Sequence, residues 1–146
     1  MQETFFTSKE AAEITGCTLR QLQYWRERGV IVPVISETGT GRSIYYSKSN
    51  LVELAVMSYC LSVGLSFDIA STTLKKLKDQ EPELFTSGKG KRFMLLSQAQ
   101  ERSLELVEFD RTKAIASLDA GKPVIPVWLD VIYTELAVKL EKLATK

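Results

Sequence analysis

The segment Thr18–Arg28 carries four polar side chains that helical spacing brings to one side: Arg20, Gln21, Tyr24 and Arg28. Arginine and glutamine each offer two hydrogen-bonding groups at once, which matches the paired donors and acceptors on base edges in the major groove of DNA. A tyrosine hydroxyl and a terminal arginine can donate to phosphate oxygens. We predict that Arg20 and Gln21 contact bases and that Tyr24 and Arg28 contact phosphates, the alternative being a merely solvated face.

A second group of candidate contacts lies further along the chain. Arg42 follows a run rich in glycine and threonine, where an exposed loop tip would give it reach toward a phosphate. Tyr45 and Lys48 are further candidates, with packing and ordinary surface charge as their alternatives. The chain has 19 basic and 18 acidic residues, but residues 16–48 contain five basic and two acidic side chains. A nearly neutral protein can therefore present one basic face.

The composition excludes the commonest catalytic and metal-binding sites. The chain has no histidine and two widely spaced cysteines, Cys17 and Cys60, so the usual general base and a zinc ligand set are both missing. The segment Ser87–Lys91 reads Ser-Gly-Lys-Gly-Lys, which lacks the spacing of a phosphate-binding loop. We predict that the protein is not an enzyme, with no catalytic residues, no cofactor and no metal ion.

Two capping boxes start two short helices in succession. Thr7 and Glu10 form the first box, and Thr18 and Gln21 form the second. Gly16 ends the first helix because glycine tolerates the left-handed backbone conformation at low cost. The amide groups near Thr18, at the start of the second helix, make Thr18 a candidate phosphate contact in addition to a cap.

The second helix is amphipathic. Leu19, Leu22 and Trp25 recur at helical spacing on the side opposite the polar candidates, and Gly29 ends the helix. A short helix, a tight turn containing glycine and a helix with an arginine-rich outer side are typical of a helix-turn-helix unit.

Strand and helix signals continue beyond this unit. Val30–Ile35 and Ser43–Tyr46 are rich in β-branched and aromatic residues, and Glu37–Gly41 between them has turn composition. The pattern predicts a hairpin, or wing, with Arg42 at its tip. Ser47 and Ser66 are placed to cap a third and a fourth helix.

Taken together, these features resemble the DNA-binding domain of the MerR family of bacterial transcription regulators. The resemblance is carried by five blocks in the family's order: Phe6–Ala12, Thr18–Trp25, Gly29–Pro33, Gly41–Tyr45 and Gly64–Ser66. They lie within Thr4–Asp79. The family often has arginine where this chain has Gln23 and tyrosine where it has Trp25.

The resemblance implies a regulator that binds double-stranded DNA as a homodimer on an inverted repeat, with its recognition helices roughly 34 Å apart. It also implies action on promoters, with RNA polymerase as a partner. Sensor members of the family follow the fourth helix with a long helix that pairs two subunits, whereas Pro82 interrupts the chain here. All apolar runs fall short of the ~18 residues of a membrane-spanning helix, so we expect a cytoplasmic protein without membrane contact.

The second half of the chain resembles no family. Residues 81–90 are rich in Pro, Glu, Ser, Thr and Gly, which predicts a flexible linker, and residues 91–146 are then a dimerisation or effector region. Phe93–Leu96 and Leu104–Phe109 read as strands. Val127–Lys146 reads as a long amphipathic helix that packs on its own sheet or on a partner.

We predict an α+β fold that is mainly α, with a winged helix-turn-helix domain over residues 1–80 and a small C-terminal α/β segment with a long terminal helix. Two other functions fit the same features. One is an architectural DNA-binding protein of the excisionase kind. The other, less favoured, is a protein-interaction module on a winged-helix scaffold.

Overall fold

The computed structural model describes residues 4–36, 44–97 and 104–144. Its helices are α1 (Ser8–Thr15), α2 (Leu19–Glu27), α3 (Lys48–Ser62), α4 (Phe67–Gln80), α5 (Leu84–Ser87), α6 (Arg111–Asp119) and α7 (Leu129–Ala144). Its strands are β1 (Phe6–Thr7), β2 (Ile35–Ser36), β3 (Ile44–Tyr46), β4 (Phe93–Ser97), β5 (Leu104–Glu108) and β6 (Val124–Val127). The described part is mainly helical with small antiparallel sheets, as predicted.

The first sheet ties the start of the chain to the predicted hairpin. Its strand order is β1-β3-β2, and both pairings are antiparallel. Phe6 lies opposite Tyr46 and both are buried, while Ile35 lies opposite Tyr45. The tip of the hairpin, including Arg42, lies outside the described residues.

Helix α3 is the centre of the N-terminal region. The Ser47 side chain caps it by accepting from the backbone N–H of Asn50. Leu51, Leu54 and Met57 are fully buried, and α3 contacts α1, α4, α5 and α7. Its apolar residues surround the helix rather than forming one stripe, which is the pattern of a helix enclosed on several sides.

The C-terminal region builds a second sheet with strand order β5-β4-β6, again antiparallel. Leu95 of the central strand lies opposite Leu106 on one side and Ile125 on the other. Alternate residues of a strand face opposite sides of the sheet. Phe93 and Leu95 accordingly join the main core, while Met94 is buried on the other side, where α6 contacts β4 and β6.

One hydrophobic core runs through both regions. Helix α7 packs on α1 and α3, and its Ile132 and Leu136 belong to the same buried cluster as Leu54 and Trp25. Within residues 81–90, expected to be a flexible linker, α5 buries Leu84. The expectation followed the polar composition of the segment, but an adjacent leucine and phenylalanine are enough to anchor one helical turn. The predicted division of the chain into domains stays a prediction.

Candidate nucleic-acid interface

The start of α2 is fixed by its predicted capping box. The Thr18 hydroxyl accepts from the backbone N–H of Gln21 at 3.0 Å, and the Gln21 side-chain oxygen accepts from the backbone N–H of Thr18 at 2.9 Å. Just before the cap, the buried Cys17 thiol donates to the Leu54 carbonyl at 3.6 Å. The turn between α1 and α2 is therefore held both locally and by the central helix.

The inner side of α2 is anchored by two buried residues. Leu22 and Trp25 are each 2% exposed and belong to the main core. Past the helix, the backbone N–H of Val30 donates to the Trp25 carbonyl at 2.9 Å, so the chain leaves the helix in a defined direction. Burial of this kind orients the whole helix and so decides which side meets solvent.

The outer side of α2 is cationic and open. Arg20, Tyr24 and Arg28 are all exposed, as predicted. Their polar groups form no hydrogen bond or ion pair within the described part of the chain. Their guanidinium and hydroxyl groups are therefore free to donate to an external acceptor, and phosphate and base-edge oxygens are acceptors of the right kind.

Gln21 differs from its neighbours. It is half-buried, and its side-chain oxygen serves the capping box, which leaves the side-chain N–H groups as its outward function. A two-point contact with an adenine needs both ends of the amide. The role predicted for Gln21 therefore competes with its role in the cap.

Leu19 is 55% exposed, although its spacing with Leu22 and Trp25 predicted that it would lie on the buried side of α2. That prediction was wrong. Leu19 is the first residue of α2, beyond the part that packs on the core through Leu22 and Trp25. Helical periodicity assigns a side but does not say how far along a helix the core extends.

An aromatic contact joins α2 to α4 and was not predicted. The rings of Tyr24 and Phe67 lie with their centroids 5.1 Å apart and their planes tilted by 58°. The Arg28 guanidinium carbon lies 5.6 Å from the centroid of the Tyr24 ring and 6.0 Å from that of Phe67. The residues are separated by about forty positions in the sequence, so no local pattern indicates the contact.

The two described candidates beyond α2 lie in different surroundings. Tyr45 is 36% exposed in the middle strand of the first sheet, between Thr7 and Ile35. Lys48, the first residue of α3, is exposed, with its ammonium 5.3 Å from the centroid of the Tyr133 ring in α7. Lys48 therefore contacts the C-terminal region rather than the side chains of α2.

Asn50 is a buried clamp that sequence reasoning missed. Its side-chain oxygen accepts from the backbone N–H groups of Val34 at 3.2 Å and Ser47 at 3.0 Å, and its side-chain nitrogen donates to the Val32 carbonyl at 3.1 Å. These bonds fix the chain between α2 and β2 to the start of α3. A signal was present, because Ser47 and Asn50 have the spacing of a capping box, but such a box predicts only the local bonds.

The two cysteines are not ionised at neutral pH. Burial raises the pKa of the Cys60 thiol to about 11, and burial also raises the pKa of the Cys17 thiol. A buried neutral thiol packs as a small apolar group and is a poor nucleophile. Among residues 4–36, 44–97 and 104–144, no group of three or more Cys, Asp or Glu side chains is placed to hold a metal ion.

The geometry of α1, the tight turn and α2, with an anchored inner side and a cationic outer side, defines a helix-turn-helix protein. Residues 6–77 match the MerR HTH family regulatory proteins, and this segment, nearly half of the chain, belongs to that family. The resemblance inferred from the sequence motifs is therefore confirmed.

Curated relatives are named as HTH-type transcriptional regulators. Uncharacterized HTH-type transcriptional regulators of Mycobacterium bovis and Mycobacterium tuberculosis are 34% identical to this chain over 62 residues. That segment is 42% of this chain and 28% of each relative, so the chain matches only a minor part of their length. Within the part of the chain that the structure describes, no helix is long and apolar enough to cross a membrane.

Proposed function

We propose that this chain binds double-stranded DNA as a symmetric homodimer on an inverted repeat and regulates transcription from promoters. The proposal rests on the contrast between the two sides of α2. Its apolar side is anchored by Leu22 and Trp25. Its opposite side presents Arg20, Tyr24 and Arg28 to solvent, and their donor groups form no hydrogen bond or ion pair in the described part of the chain. A helix of this form fits the major groove.

The contacts divide by chemistry into base reading and phosphate binding. Arg20, in the first turn, contacts a base edge through two N–H groups. Gln21 donates to a base edge through its side-chain N–H groups, which the cap does not use. Tyr24 and Arg28 bind phosphates. Thr18, at the helix start, would donate its hydroxyl hydrogen to a phosphate, because the cap uses the hydroxyl oxygen only as an acceptor.

The hairpin acts as a wing beside the groove. Arg42 and Tyr45 would contact phosphates there, and Asn50 supports this role because it holds the base of the hairpin against α3. Lys48 is the weakest of the proposed contacts, since its ammonium already lies against Tyr133.

Residues 1–80 supply the DNA contacts, and residues 91–146 supply the dimer contact. Exposed apolar side chains on the outer sides of α6 and α7 support the second assignment: Ile115, Leu118, Val131 and Val138. A homodimer would place two copies of α2 in successive major grooves roughly 34 Å apart. Distortion of the promoter between them would control its use by RNA polymerase.

Selection of bound fragments from genomic DNA, combined with the mass of the protein in solution, tests this function. We expect an inverted repeat and a two-chain mass. Arg42→Ala should weaken binding to all DNA sequences alike and reduce the dependence of the affinity on salt concentration. Bending of DNA without any effect on a promoter would favour an architectural protein, and the absence of salt-dependent binding to any duplex would favour an interaction module.

A further inference from the structure

We propose that Phe67, the first residue of α4, is a positioning residue for the DNA interface and that it presets Tyr24 and Arg28 for phosphate binding. The inference rests on the proposed DNA binding. Phe67 lies outside the helix-turn-helix unit formed by α1 and α2. The structural basis is the three-membered contact in which the Phe67 ring lies 5.1 Å from the Tyr24 ring and 6.0 Å from the Arg28 guanidinium carbon.

The contact leaves the hydrogen-bond donors of Tyr24 and Arg28 free. A guanidinium packed on aromatic rings keeps its N–H groups available at its edge. The Tyr24 hydroxyl and the Arg28 N–H groups bond to nothing within residues 4–36, 44–97 and 104–144. Two donors thus lie on neighbouring groups, with the Arg28 guanidinium carbon 5.6 Å from the centroid of the Tyr24 ring, and both can serve phosphate oxygens.

Phe67 can fix its partners because α4 is itself held in place. The Ser66 hydroxyl accepts from the backbone N–H of Ile69 at 3.2 Å and so caps the helix beside Phe67. Leu74 and Leu77 bury the inner side of α4 in the core. Phe67 is half-buried against that core, so the ring that faces Tyr24 has a rigid support.

The functional gain is preorganisation. Long side chains such as arginine lose conformational freedom when they bind a ligand, and that loss weakens binding. Where the protein's own packing has already restricted them, less is lost on binding. Because phosphates are the same at every position, the effect of Phe67 should appear equally with every DNA sequence.

The test measures the binding of the full chain to a mixed-sequence duplex over a range of salt concentrations. Phe67→Leu keeps an apolar side chain on the core but removes the ring face, and we expect binding about 3- to 10-fold weaker. The matched control is Phe109→Leu, since Phe109 is 37% exposed and packs edge-on against Trp128 at 5.7 Å in the C-terminal region. That variant should bind like the wild type.

A double-mutant cycle separates positioning from mere stability. Arg28→Ala should weaken binding less in the Phe67→Leu background than in the wild type, by a factor of about 2 or more, with thermal unfolding showing both backgrounds folded. Additive effects, or Phe67→Leu binding as tightly as the wild type, would overturn the positioning role while leaving DNA binding intact. Absence of salt-dependent binding by the wild type would overturn the proposed function itself and this inference with it.

Discussion

Helices α2 and α7 are both amphipathic, yet their outer sides differ in kind. Each is anchored in the same core, α2 through Leu22 and Trp25 and α7 through Ile132 and Leu136. The outer side of α2 carries arginines and a tyrosine, which suit phosphates. The outer side of α7 instead mixes apolar, polar and charged residues, with Val131 and Val138 exposed. Periodicity therefore predicts that a helix is buried on one side, and only the chemistry of the other side indicates a partner.

The largest expected effect is loss of the α2 anchor. Trp25→Ala should lower the free energy of unfolding by about 3–5 kcal/mol, because it removes the largest side chain beneath the helix. Urea denaturation measures this change. Gln23→Ala, on the exposed side of α2, is the control and should stay within about 0.5 kcal/mol of the wild type. Similar effects of the two substitutions would contradict the assignment of inner and outer sides.

The anchor of α7 should matter almost as much. Leu136→Ala should lower the free energy of unfolding by about 2–5 kcal/mol. Because Leu136 belongs to the core that α1 and α3 also share, the chain should still unfold in one transition. Two transitions, the first confined to the C-terminal region, would show that α7 stabilises only its own sheet.

Loss of the α2 cap should have a smaller effect. Gln21→Ala removes the side-chain oxygen that accepts from the Thr18 N–H, and we expect a loss of about 0.5–1 kcal/mol in the free energy of unfolding. Arg20→Ala, one residue earlier, should leave stability unchanged, since Arg20 has no partner in the described part of the chain. Equal stability of Gln21→Ala and the wild type would mean that the amide is free for base contacts.

The start of α7 should show an acid sensitivity that the neutral cap of α2 lacks. Arg92 donates to Asp130 at 2.9 Å, and this hydrogen bond holds the pKa of the Asp130 carboxyl below its ordinary value of 3.8. A lowered folded-state pKa contributes stability above the ordinary value, and that contribution is lost as the pH falls through the folded-state value. Thermal unfolding of Asp130→Asn against the wild type measures it.

The wild type should be more stable than Asp130→Asn at neutral pH, and the difference should shrink as the pH falls below 3.8. Because the pair is exposed, the whole effect should be small. A difference that does not depend on pH would show that the charge of Asp130 does not contribute to stability.

Local chemistry made much of the N-terminal region predictable. The capping boxes at Thr7 and Thr18 involve residues three positions apart, and Gly16 adopts the left-handed conformation expected of it, with a φ of 78°. These signals fix where α1 and α2 begin and end. Together with the spacing of Arg20 and Tyr24, they were sufficient to place the candidate interface on the outer side of α2.

The contacts that the sequence did not predict join residues that are far apart in the chain. Phe67 meets Tyr24 from another helix, and Asn50 reaches back to Val32 and Val34 across the hairpin. The burial of Leu84 likewise depends on α3 and α7 enclosing α5. No pattern within one element encodes such contacts, because they arise only when the elements pack.

The most direct test of the account is the affinity of Arg20→Ala for a selected inverted-repeat duplex and for a mixed-sequence duplex. Arg111→Ala is the matched control, since Arg111 is an exposed arginine in the first turn of α6. We predict that Arg20→Ala loses about 1–3 kcal/mol of binding free energy on the selected duplex and much less on the mixed one, whereas Arg111→Ala binds both like the wild type. Unchanged selectivity in Arg20→Ala would contradict the central claim that the outer side of α2 reads DNA.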